Sequence, residues 1–176
     1  MRFTESLELT ETKLKRIAAL SAAKPEMVFT HVVHHFNEEA LRACFHELDG
    51  KKAKGNDGID KARYGENLEE NLRNLVERMK QMAYRPGSVR QVLIPKEGKP
   101  GATRPLGISN FEDKIVQKMM QKVLESIYEP LFYPDSYGFR PERSCHDAIK
   151  ALHGYLSTHE VETVIDDFFA FKENGG

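Results

Sequence analysis

Lys96 and Arg104 flank a turn-rich segment, Pro95-Lys96-Glu97-Gly98-Lys99-Pro100-Gly101, set between two short runs of strand-forming residues at 89–94 and 103–108. Antiparallel pairing of those runs would bring the two cations together across eight positions of sequence. A lysine and an arginine so placed can grip a triphosphate, the first as a compact charge and the second as a two-pronged fork. Further along, Tyr137-Gly138-Phe139-Arg140, with Arg143 close behind, gathers aromatics and cations in one turn. Those side-chain types stack on bases and contact phosphates. A third cationic stretch, Lys51-Lys52-Ala53-Lys54, runs into Gly55-Asn56-Asp57-Gly58. Near the end, Asp166-Asp167 follows a β-branched run at 161–165. Adjacent strand residues face opposite sides, so one carboxylate of that pair can enter a site for a hard divalent cation. Each pattern also has a plainer reading: a hairpin with solvated ends, a tight turn with core aromatics, a lysine-rich surface loop and a solvated acidic turn.

The elements that must hold these groups follow from periodicity and capping. The pattern predicts a helix at about 10–23 with Leu14, Ile17 and Leu20 on one face, stopped by Pro25. A second helix starts at Asn37 as N-cap, with Phe36 and Leu41 spaced as a hydrophobic staple, and reaches about Leu48. Residues 51–60 read as a loop. Leu68, Leu72, Leu75, Val76, Met79 and Met82 mark a third helix that ends near Tyr84, before Pro86-Gly87. The hairpin follows. Ser109-Asn110-Phe111-Glu112 has the form of a capping box for a helix carrying Phe111, Ile115, Met119, Val123 and Ile127. Ser144-Cys145-His146-Asp147 has the same form for a last helix through Ile149, Leu152 and Leu156, before the strand at 161–165.

The chain has 176 residues, 40% of them hydrophobic, which suffices for one ordinary core. Its formal net charge is −1, but the charge is uneven. Residues 78–122 hold 10 Lys and Arg against 3 Asp and Glu, whereas 123–176 hold 4 against 10. A uniformly basic coat is excluded and a local phosphate-binding surface is not. Cys44 and Cys145 lack any paired spacing and read as reduced thiols of a cytoplasmic protein. No early apolar run suits a secretory leader or a membrane span. His31, His34 and His35 have no acidic or Cys partner at a zinc spacing, and they read as surface or packing residues.

Four blocks, Lys54-Gly55-Asn56-Asp57-Gly58-Ile59-Asp60, Leu93-Ile94-Pro95-Lys96, Arg104-Pro105-Leu106-Gly107-Ile108 and Tyr137-Gly138-Phe139-Arg140-Pro141, stand in an order and spacing that resemble the fingers region of group II intron-encoded reverse transcriptases. The resemblance runs from about residue 41 to 167. It implies an α+β fold: a helical extension at 1–36, a fingers region with a β-hairpin at 37–160, and the first strand of a polymerase palm at 161–176. It implies that Lys96 and Arg104 contact the incoming deoxynucleoside triphosphate. Phe139, Arg140 and Arg143 would lie on the RNA template track, and Lys54 on a loop covering the template and DNA primer junction.

Asp167 becomes the candidate catalytic residue and Mg²⁺ ligand, because registering it on the family's Asp-x-x-x-Phe-x-Asp-Asn block aligns Phe171, Glu173 and Asn174. Phe169 and Lys172 depart from the family pattern, and a register on Asp166 remains open. In the complete enzyme, two Mg²⁺ ions held by aspartates offset the charge that builds up in phosphoryl transfer.

No Tyr-x-Asp-Asp block occurs in the 176 residues, so the expectation is a reverse transcriptase and maturase truncated before that block. One aspartate cannot hold two hard cations, so activity would require palm and thumb sequence supplied separately. An unpaired palm strand would leave an edge open to self-association or to that partner. The second reading, from a different class, is a stand-alone RNA-binding or structural remnant with no polymerase chemistry.

Overall fold

The structure is a computed structural model and describes residues 2–99 and 101–160. The fold is α+β, with helices and one two-stranded antiparallel sheet among the described residues. These residues form two compact units, one through Leu131 and one from Phe132.

In the first unit, helix α1 (Arg2–Ala23) packs along α5 (Phe111–Tyr128) and α2 (Glu38–Glu47). Ser21, almost wholly buried, donates its hydroxyl to the Ile127 carbonyl at 2.5 Å, which satisfies that buried polar group. Asn37 caps α2 as expected: its side-chain oxygen accepts from the Ala40 N–H at 2.9 Å, with Phe36 and Leu41 both buried. A one-turn helix α3 (Lys61–Gly65) follows Asp60, whose carboxylate accepts from the Arg63 N–H. Then comes α4 (Leu68–Lys80). Leu72, Leu75 and Val76 of α4 meet Ile115, Met119 and Val123 of α5, together with Leu41 and Cys44 of α2, in one continuous core. Burying each aliphatic side chain of this kind contributes about 1.5–3 kcal/mol. Phe45, Tyr64 and Phe111 close one end of the core, with ring centroids 5.6–6.3 Å apart. Burial also pushes the Cys44 thiol up to about 11, which leaves it protonated and unreactive at neutral pH.

Three helix boundaries differ from the sequence expectation: α1 begins at Arg2, not near residue 10, and the differences at α4 and α5 have tertiary causes. Helix α4 stops at Lys80 instead of approaching Tyr84, because Met82 adopts φ 57° and the N–H groups of Ala83 and Tyr84 both return to the Arg78 carbonyl. That reversal lets the Tyr84 hydroxyl donate to Asp113 at 2.5 Å. At α5 the expected Ser109 capping box is replaced. Asn110 is the N-cap with no side-chain capping bond, and Glu112 instead accepts from Tyr64 and Arg78.

Strands β1 (Arg90–Pro95) and β2 (Thr103–Ile108) pair antiparallel from Arg90↔Ile108 to Pro95↔Thr103, and the Lys96 N–H to Ala102 carbonyl bond closes the base of the tip. Gly98 and Gly101 supply the left-handed backbone, φ 73° and 80°, that this turn requires. The hairpin is exposed along most of its length.

The second unit consists of a turn at 132–144 leading into helix α6 (Cys145–Thr158). Ser144 and Asp147 complete a reciprocal capping box, as the sequence predicts. Ile149, Leu152, Tyr155 and Leu156 of α6 are all exposed. The strand expected at 161–165 and the pair Asp166 and Asp167 lie outside the described residues.

Candidate nucleic-acid interface

Residues directly opposite in an antiparallel ladder share a face, and so do residues two apart in one strand. Arg104 pairs with Ile94, and Lys96 continues the Ile94 face past the end of β1. The two cations are therefore diagonal neighbours on one side of the hairpin tip. Neither charged group has a partner among the described residues. The opposite side carries Leu93 across from Pro105, both exposed, so the tip has one cationic and one apolar side.

The loop at 51–60 is fastened at several points. Lys54 pairs with Asp60, Nζ to Oδ2 2.7 Å, and the Arg63 N–H foremost, then Lys54, holds the Asp60 carboxyl below its usual range. Lys114 donates to the Ala53 carbonyl at 2.7 Å. Asn110 accepts from the Asn56 N–H at 2.9 Å and the Asp57 N–H at 3.3 Å. Gly55 is buried against that asparagine.

Beside this loop lies a polar cleft of about 480 Å³ lined by Arg63 of α3, Asn71 of α4, the first turn of α5, and Asn67 and Arg85 on either side of α4. Its floor is fully bonded. Glu112 accepts from Tyr64 and Arg78, while Asp113 accepts from Tyr84 and from the Gly87 N–H at 3.0 Å. Burial raises both tyrosine hydroxyls far above their usual range, with Glu112 adding to the effect at Tyr64 and Asp113 at Tyr84, so both remain donors.

In the second unit the turn at 132–144 is held by its own arginines. Arg140 donates to the carbonyls of Tyr133 and Ser136 at 2.8 and 2.9 Å and covers the Phe132 ring; Arg143 donates to the Pro134 carbonyl at 2.6 Å and covers Tyr137. Phe139, immediately before Arg140, adopts a left-handed conformation, φ 57°, with its ring wholly in solvent. A non-glycine residue there is strained by about 1 kcal/mol or more.

No group of three or more His, Cys, Asp or Glu that could hold a metal occurs among the described residues. His35 is buried, and burial foremost, then His34 and Lys13, lowers its pKa. No helix among the described residues is long and apolar enough to cross a membrane.

The family described as reverse transcriptase (RNA-dependent DNA polymerase) matches residues 94–172, which takes in the Lys96 and Arg104 tip, the turn at 132–144 and α6. The chain is 34% identical over 140 residues to the group II intron-encoded protein LtrA of Lactococcus lactis, covering 79% of this chain and 23% of that protein. It is 41% identical over 143 residues to protein YkfC of Escherichia coli, covering 78% of this chain and 37% of the relative. The chain belongs to the group II intron reverse transcriptase family. It spans about a quarter of LtrA and about a third of YkfC.

Within this reverse transcriptase sequence, the structure brings Lys96 and Arg104 to one face, and it engages Lys54, Arg140 and Arg143 in contacts of their own. Asp167 lies outside the described residues. Asn110 and Gly87 have structural roles that pattern reading missed. Asn110 resembles an ordinary cap residue in sequence, and the only local hint was the glycine in each of the two segments it touches.

Proposed function

We propose that this chain forms the fingers portion of an RNA-directed DNA polymerase of the group II intron type and binds template RNA and the incoming nucleotide. The observation that carries the reading is the pairing register, which puts Lys96 and Arg104 on one exposed face of the hairpin with both charged groups unpartnered among the described residues. A polyphosphate needs two such cations at a fixed separation, and a two-stranded ladder fixes it. Lys54 and, on the other unit, Phe139 with Arg140 and Arg143 supply template contacts. The arginines hold the turn that presents the Phe139 ring and add their charge to its field. Asp167, or Asp166 in the other register, is the residue that would hold Mg²⁺, which when bound offsets phosphate charge in the complete enzyme.

Titration of a labelled template–primer and of a deoxynucleoside triphosphate against Lys96→Ala and Arg104→Ala, with thermal melts on the same samples, tests the reading. Weakened binding with unchanged melting supports it, and lost folding contradicts it. The 176-residue chain alone is expected to extend no primer, because the sequence contains no Tyr-x-Asp-Asp block to supply further carboxylates. Template-dependent extension abolished by Asp167→Ala would overturn that part.

A further inference from the structure

Asn110 stands where a helix N-cap stands, yet its side chain makes no capping bond to α5. Asparagine is among the strongest capping residues, and the bond it forgoes is ordinarily worth about 1 kcal/mol. Its Oδ1 instead reaches out of its own helix and takes the N–H groups of Asn56 and Asp57 in the Lys54 loop. Two glycines make room for that reach. A Cβ on Gly55 would meet the Asn110 Cα at 2.5 Å and its backbone N at 2.7 Å, and a Cβ on Gly87 would collide with Asn110 Nδ2. Gly55 belongs to the lysine loop and Gly87 to the segment entering the hairpin. Three residues on, Asp113 takes the Gly87 N–H and the Tyr84 hydroxyl. The first turn of α5 thus fastens both the loop that carries Lys54 and the base of the hairpin that carries Lys96 and Arg104.

We infer that Asn110 is a positioning residue that locks these two cationic segments into one arrangement, so that RNA phosphates engage them as a coupled surface. The inference rests on the fingers reading above and adds to it a residue with no ligand contact of its own. Gly55 and Gly87 are part of the device, because no side chain fits at either place with Asn110 between them. Lys114, one turn along α5, adds a further tie through the Ala53 carbonyl.

The test uses the full 176-residue chain. Amide exchange at Asn56 and Asp57 is measured in the unaltered chain, Asn110→Ala and Asn110→Asp, the last keeping the acceptor oxygen. Exchange at both amides is expected to rise about tenfold in Asn110→Ala and to return in Asn110→Asp, with the melting transition retained. On the same proteins, affinity for a single-stranded RNA is measured with Lys54→Ala, Arg104→Ala and both together. Their effects are expected to be non-additive with Asn110 or Asp at that position and additive with Ala. Unchanged amide exchange in Asn110→Ala overturns the lock, whatever RNA binding shows. Faster exchange with additivity unaltered reduces Asn110 to a structural tie and overturns the positioning role. If Asn110→Ala fails to fold, Gly55→Ala and Asn110→Asp decide: loss of non-additivity in the first and its retention in the second support the lock, and the reverse overturns it. Absence of RNA binding by the unaltered chain, with amide protection intact, overturns the fingers reading and the coupling with it.

Discussion

Lys96 and Arg104 of the hairpin and Arg140 and Arg143 of the turn at 132–144 are two pairs of cations put to different uses. Arg140 and Arg143 donate to three backbone carbonyls and lie over two aromatic rings. Lys96 and Arg104 have no such engagement among the described residues and share one open face. A guanidinium holding carbonyls is part of the fold. One held up by a ladder with no partner is available to a ligand. The same residue type therefore has different work in the two places, and sequence wording alone does not separate them.

The largest effect is expected in the turn. Arg140→Ala and Arg143→Ala each remove charge-assisted bonds to carbonyls and should destabilise the turn by about 1.5–3 kcal/mol, read as faster amide exchange across 133–144. Lys96→Ala and Arg104→Ala should change stability by no more than about 0.5 kcal/mol. Equal losses in both places would break the contrast.

A second, smaller effect concerns geometry at constant charge. Arg104→Lys keeps the cation and loses the fork, and should weaken nucleotide affinity about threefold, a titration difference that Arg140→Lys should not reproduce. A third effect is in pH. The pKa of His35 is lowered from 6.5 by burial, His34 and Lys13, so the folded chain binds fewer protons there than the unfolded one. Its contribution to stability is complete above pH 6.5 and is lost as pH falls below it. Melting temperature should drop on acidification toward pH 5.5, while RNA affinity per folded molecule holds steady, since His35 lies outside the hairpin.

Much of the scaffold was legible because it is local. The four-residue repeat Phe111, Ile115, Met119, Val123 is buried as its spacing implies, and the Ser144 box formed from the residues that encode it. The hairpin followed from two β-forming arms and a Gly- and Pro-rich tip. Features set by distant partners were not legible. Helix α4 ends early because Tyr84 turns to meet Asp113, a residue 29 positions away. Asn110 leaves its capping role for a loop more than 50 positions upstream, and one helical turn at 61–65 has no apolar period to announce it. At the candidate site, family wording located Lys96 and Arg104, and the register then supplied the shared face. The same wording named Arg140 and Arg143 without revealing the carbonyls they hold.

The most direct test of the central claim, that the hairpin cations are a phosphate-binding pair, is the salt dependence of RNA affinity. For a single-stranded RNA, the slope of log K against log salt should become shallower by about 0.7 for Lys96→Ala or Arg104→Ala alone and by about 1.4 for the two together. A slope unchanged by the double substitution, in chains that still bind RNA and melt normally, would contradict the account.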